Sequence, residues 1–306
     1  MDEGVTTIGS GAFTNCSALT KLVLPDSITS LGSGFLQGCT ALELLDVPFL
    51  GGSDNDTANK NLGYFFGGAS SVPTSLKTVI LRRETMLGTS AFSGCGNLQS
   101  VILPDGITVI SNYAFKNCTG LTQLELPEGI TSIGVEAFAG CTGLTSITLP
   151  ASVAALGNKA FFGCTALKQV TIPASMISLG SNVFSGCTAL EQVIVDESNT
   201  EYVVVDNCLI HRSTKTLVWG NQYSKIPTDG SVTAIGSYAF ADCTGLTQLS
   251  IPASVTEIGS FAFRGCTGLS KVTIAGSNCL SKRRSKVTTI SDRMSSHSSR
   301  PIEASG

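Results

Sequence analysis

The chain has 306 residues, 42% hydrophobic and 13% charged, with a net charge of −3. That much apolar material can bury a large core, which excludes wholesale disorder, and two histidines and one tryptophan leave little for acid–base chemistry. Residues 276–306 hold six Lys/Arg against two Asp/Glu, which leaves residues 1–275 at −7 and excludes a phosphate-neutralising nucleic-acid surface there.

No run of 18 apolar residues predicts a membrane span, and no basic–apolar–small signal segment opens the chain. Nine of the eleven cysteines fall at positions 16, 39, 95, 118, 141, 164, 187, 243 and 266, at intervals of 23, 56, 23, 23, 23, 23, 56 and 23. A zinc site or disulfide framework shows clustered pairs such as C-x-x-C, and none is present. Even spacing marks a tandem repeat instead.

Aligned on cysteine, the copies read C-x-x-L-x-x-(L/I/V)-x-(L/I/V)-P-x-x-(I/V)-x-x-(I/L)-G-x-x-A-F-x-(G/N). The chain opens inside a copy, with Val5, Ile8, Ala12 and Phe13 supplying a return limb before any strand. A fragment is therefore expected. In the copies that follow, the L-x-x-L-x-L stretch alternates apolar and polar residues as a strand does. Proline at 25, 48, 104, 127, 150, 173 and 252 marks each strand's end, because it cannot donate to a ladder. Phenylalanine stands three residues before cysteine in eight copies (Phe13, Phe92, Phe115, Phe138, Phe161, Phe184, Phe240 and Phe263), with Leu36 in the ninth. Rings recurring once per turn should stack into a core spine. The residue before each cysteine is Gly, Asn or Asp, the types that most readily take positive φ, so a left-handed turn is expected there. The cysteines should then enter the core as reduced, buried thiols.

Two stretches break the rhythm. Residues 49–75 are rich in Gly, Ser and Asn and read as an exposed loop insertion, within which Leu62-Gly63 and Phe66 stand for the missing I-G and F of a copy. Residues 196–226 read as a β-hairpin, with strands at 203–210 and 216–219 around a polar loop at 211–215. Cys208 lies outside the cysteine ladder with His211 three residues on. A nucleophilic pair needs an orienting third group and an oxyanion site, and neither is suggested nearby. No GxxxxGK(S/T), GxGxxG or HExxH string occurs, so no cofactor, metal or catalytic residue is expected and the chain is expected not to be an enzyme. Residues 276–306, with nine serines and the basic run Lys282-Arg283-Arg284-Ser285-Lys286, lack the repeat and read as a disordered tail that includes Cys279. Of three N-x-(S/T) strings, only Asn55 sits in a loop suited to glycosylation.

The repeat resembles the BspA-like leucine-rich repeats, with hallmark C-x-x-L-x-x-I-x-L-P-x-x-I-x-x-I-G-x-x-A-F, over about residues 5–275. The resemblance implies a leucine-rich-repeat solenoid, a curved right-handed coil, with an irregular or short-helical convex side. One parallel sheet of about ten strands would line the concave face. It also implies a cell-surface or secreted, adhesin-like protein that binds host or extracellular-matrix proteins. An intracellular scaffold using the same surface is the alternative reading. On either, binding is expected on two outward columns of the strands. One runs Lys21, Leu44, Thr78, Ser100, Gln123, Ser146, Gln169, Gln192, Gln248, Lys271. The other runs Val23, Asp46, Ile80, Ile102, Glu125, Thr148, Thr171, Ile194, Ser250, Thr273.

Overall fold

A computed structural model describes residues 4–58 and 60–275. The tail at 276–306, with its basic run and Cys279, lies outside the described residues. Most turns of the solenoid contribute to one or both of two ladders of short parallel strands. The L-x-L segments pair as Lys21–Val23, Leu44–Val47, Thr78–Leu81 and Ser100–Ile102, then as Gln169–Ile172 with Gln192–Val195, and as Gln248–Ile251 with Lys271–Ile274. The I-G segments form a second ladder. It pairs Thr7–Ile8 with Ser30–Leu31, then runs through Val109–Ile110, Ser132–Ile133, Ala155–Leu156 and Ser178–Leu179.

The expected single sheet is thus replaced by several. Residues 121–126 and 144–149 keep the alternation, with Leu124 and Ile147 buried, but do not pair as strands. The repeat pattern dictates which side chains enter the core. It does not dictate whether neighbouring turns align all their backbone donors and acceptors, and at these two turns burial is joined by a single rung, the Thr145 N–H donating to the Thr122 carbonyl at 3.0 Å. The return limb carries the two-residue I-G strands and is otherwise turns and irregular backbone, with little helix. Among the described residues its helices are one short α-helix, Gly63–Phe66, and a 3₁₀ turn, Ala69–Ser71.

Sharp corners join the ladders. At six of the prolines that end an L-x-L segment, P-x-x-(I/V/M) closes on itself, as where the Val153 N–H donates to the Pro150 carbonyl at 3.0 Å. The residue before every ladder cysteine has positive φ, from Asn117 at 59° to Gly94 at 79°. A second left-handed position recurs two residues before the aromatic, occupied by Ser90, Tyr113, Glu136, Lys159 and Phe261 among others. Nothing in their residue types announces it. The I-G glycine answers to stacking instead: a Cβ on Gly157 would meet the Val135 nitrogen at 2.5 Å.

Inside, the rings stack. Phe92, Phe115, Phe138 and Phe161 follow one another at 5.2 Å, nearly parallel, and Phe184 continues the column at 6.0 Å. At the N-terminal end the contacting rings are Phe13, Phe35 and Phe65. Leu36 and Phe66 are fully buried beside them, so at Phe35 and Phe65 the ring column runs one residue earlier than the spacing predicts. Trp219 supplies the ring after Phe184, 6.4 Å away, and Gly220 then leaves room for Phe240.

Six ladder cysteines, from Cys39 to Cys187, are buried, while Cys16 is exposed and Cys243 and Cys266 are partly exposed. The expectation that all nine are buried therefore fails at the two ends of the array, where fewer turns cover the thiol. The buried ones do more than fill space. The thiols of Cys118, Cys141, Cys164 and Cys187 donate to the carbonyls of Phe92, Phe115, Phe138 and Phe161, all at 3.0–3.1 Å. Each thereby gives a second donor to a carbonyl that already accepts the N–H of its own turn's cysteine, a task alanine or valine could not perform. Burial pushes the Cys95 thiol up to about 12 and holds Cys118 and Cys141 well above the ordinary range, and a hydrogen bond with the Cys187 thiol, together with burial, does the same for Cys164. With so little thiolate at pH 8, a thiol reagent should label Cys16 at once and these four only after unfolding. Rapid native labelling of the four, read by peptide mapping, would contradict the packing.

The first insertion is not simply an exposed loop. Phe49, Leu50, Leu62, Phe65 and Phe66 are fully buried, while most of Asp54–Ala58, Asn55 among them, and of Gly67–Ser71 is exposed. Lys60 and Glu84 form a buried ion pair across its base, and the other Glu84 oxygen accepts the Leu50 N–H at 2.9 Å. Arg82 reaches Asp26 and Asp46, and Arg83 reaches Asp54 and the carbonyls of Asp26 and Ile28.

The second insertion holds three strands where two were expected: Tyr202–Val205, Cys208–His211 and Thr216–Trp219. The run 203–210 folds back on itself at Asp206 and Asn207, whose φ values of 49° and 62° make a two-residue turn of the type that suits strand twist. Asp and Asn tolerate that backbone, so the dipeptide was the available signal. The third strand then pairs in parallel with Ala234–Ile235, which pairs with Glu257–Ile258. The meander thus stands in for one turn of the solenoid and rejoins its second ladder.

Candidate protein-binding face

Alternation in the L-x-L ladder sends one residue of each pair inward and its neighbour out. Lys21, Gln123, Glu125, Ser146, Thr148, Gln169, Thr171, Gln192, Gln248 and Lys271 are all exposed, and Ile194 is half-buried. Register aligns them across turns: Lys21 with Leu44, Thr78 and Ser100, Gln169 with Gln192, Thr171 with Ile194, and Gln248 with Lys271. The two columns are therefore continuous within each sheet and interrupted between sheets. Ile102, 50% exposed, and Val23, 40%, add apolar surface at the N-terminal part of the face.

Residues outside the repeat register complete the face. Tyr223, 60% exposed, rises from the second insertion between Gln192 and Gln248. Its loop is tied down from below. The buried Asn221 donates to the Leu190 carbonyl at 2.9 Å, and its Oδ1 accepts the Tyr223 N–H at 2.9 Å and the Asn207 amide at 2.8 Å. Buried Ser224 accepts the Asn221 N–H and donates to the Asn207 carbonyl at 2.6 Å. On one side of Tyr223 an open groove of about 790 Å³ runs past Lys168, Gln169, Glu191 and Gln192. On the other, one of about 650 Å³ runs past Lys225, Gln248 and Lys271. Sequence reasoning missed Tyr223, Lys168 and Lys225, because the first and last come from the insertion and Lys168 stands next to the columns rather than in them.

Cys208 and His211 share a strand but not a site. The Cys208 thiol is fully buried against the Lys225 carbonyl at 3.4 Å, and burial pushes it up to about 12. His211 packs edge-on to Tyr202 at 5.1 Å and meets Ser213 and Thr214. Among the described residues no group of three His, Cys, Asp or Glu could hold a metal ion, and no helix is long and apolar enough to cross a membrane.

Stacked 23-residue turns with a Phe column, a thiol ladder and paired L-x-L strands are the structural counterpart of a named repeat. The BspA type leucine rich repeat region matches residues 1–51, 85–209 and 219–297 in six copies. The chain belongs to the BspA type leucine-rich-repeat family. Among solved structures, this BspA type chain resembles a leucine rich cell surface protein from Faecalibacterium prausnitzii. Identity is 30% and the TM-score 0.60, over 88% of this chain and 64% of that one. The pneumococcal vaccine antigen PcpA superposes with the same TM-score at 20% identity, over 88% of this chain and 63% of that one, and shows the shared fold. The BspA type chain thus spans less than two thirds of the length of both. A search of curated proteins returns no match.

Proposed function

We propose that the protein is a non-catalytic binding module, displayed at the cell surface or secreted. In this reading its strand ladder lines the concave side of the solenoid and contacts host or extracellular-matrix proteins. The observation that carries this is Tyr223, an exposed ring on a braced loop, set between two grooves in line with exposed Gln169, Gln192 and Gln248. Exposed aromatics that bring large area at little entropic cost are the usual anchors of protein interfaces. The cell-surface description of the 30% identical F. prausnitzii protein supports the location. The separate surroundings of Cys208 and His211 support a role without catalysis.

The test compares the wild type with a Gln169→Ala, Gln192→Ala, Tyr223→Ala triple variant. Both are immobilised and exposed to a panel of purified extracellular-matrix proteins. The variant should lose most of the captured protein while its melting transition stays within a few degrees, since all three side chains are exposed. Equal capture by both would remove the face from consideration.

A further inference from the structure

We propose that the two grooves beside Tyr223 together bind an extended, acidic peptide segment of the partner, lying across the strands. This rests on the strand-face reading above and specifies its ligand. The lysines carry the argument. The groove of about 650 Å³ is lined by two charged side chains, Lys225 and Lys271, and by no carboxylate. The neighbouring groove adds Lys168, with Glu191 as its single acid. Among the described residues none of the three lysines forms an ion pair, and all three are exposed. This cationic strip lies on a body whose residues 1–275 carry a net charge of −7. A local reversal of sign inside a low-charge surface discriminates between partners by charge, rejecting basic segments and admitting acidic ones.

The uncharged groups fit a peptide backbone. Gln169 and Gln192 are direct register partners, and Gln248 pairs with Lys271. An amide offers both donor and acceptor, so a row of glutamines can serve the N–H and C=O groups of a chain crossing it. Tyr223 stands midway, a rigid ring over which that chain would pass. From the Gln169 rung to the Lys271 rung is about four strand spacings, or roughly 19 Å, which an extended segment of about six residues covers.

Fluorescence anisotropy tests this with three labelled peptides of about ten residues: alternating Glu and Ser, Gln and Ser, and Lys and Ser. The Glu peptide should bind tightest, weaken as salt is raised, and lose about tenfold or more in a Lys225→Glu, Lys271→Glu variant. Tyr223→Ala should weaken it as well, and Glu191→Gln should strengthen it. Indifference among the three peptides, unchanged binding in the lysine variant, or no binding of the Glu peptide overturns the proposal. Should matrix proteins still be captured, and be lost on replacing Gln169, Gln192 and Tyr223, the strand-face reading stands and only the acidic peptide falls. Should that capture be indifferent too, both fall.

Discussion

Phe138→Ala should lower the free energy of unfolding by about 3–5 kcal/mol. Phe138 is fully buried and stacks at 5.2 Å on both Phe115 and Phe161, with interplanar angles of 2° and 3°. Truncation removes two ring contacts, each worth about 0.5–1.5 kcal/mol, and leaves a cavity. The neighbours cannot close it easily. The Phe138 N–H donates to the Ala160 carbonyl at 2.8 Å and its carbonyl accepts the Cys164 thiol at 3.1 Å, so the turns are held at fixed spacing. Gln169→Ala, exposed in the strand column, should change stability by no more than about 0.5 kcal/mol. Chemical denaturation of both variants reads the contrast. A loss below about 1 kcal/mol for Phe138→Ala, or a larger one for Gln169→Ala, would mean that the inward and outward faces have been exchanged.

A comparable loss is expected from Glu84→Ala, about 3–5 kcal/mol, for an electrostatic reason. Glu84 and Lys60 are 2% and 5% exposed, so removing the carboxylate strands a buried ammonium and leaves the Leu50 N–H without its acceptor. Desolvation makes the intact pair only modestly stabilising overall, and it is the broken pair that is costly. A Lys60→Met, Glu84→Met double variant should therefore recover most of what the single change loses. Denaturation midpoints of the two variants decide this. If the double variant is no more stable than Glu84→Ala, the pair is holding the first insertion through its geometry and not merely through mutual neutralisation.

Neither member of that ion pair was visible as such in the sequence. Lys60 and Glu84 are 24 positions apart in segments outside the repeat pattern, and nothing local marks them as partners. The same holds for Tyr223, which becomes part of the strand face only because Asn221 reaches back to the Leu190 carbonyl, 31 residues earlier. The candidate face was legible where it follows the repeat and illegible where the insertion supplies it.

The sequence by itself determined much of what a single turn decides. Alternation in L-x-L sets which strand residues turn inward, because successive side chains point to opposite faces. Gly, Asn or Asp before each cysteine sets a left-handed corner, because only those types adopt it at little cost. The spacing of phenylalanine sets a ring column. Tertiary structure alone decided what depends on the distance between turns. That covers whether adjacent segments pair along their length or at a single rung, as at residues 121–126, and why cysteine serves where a small hydrophobe would fit, namely to give the phenylalanine carbonyl of the turn before a second donor. It covers how Trp219 takes a phenylalanine's place when the meander interrupts the array. Hydrogen bonds and ring contacts between residues 22 to 58 positions apart are fixed by stacking geometry, and a residue pattern states only which groups are on offer.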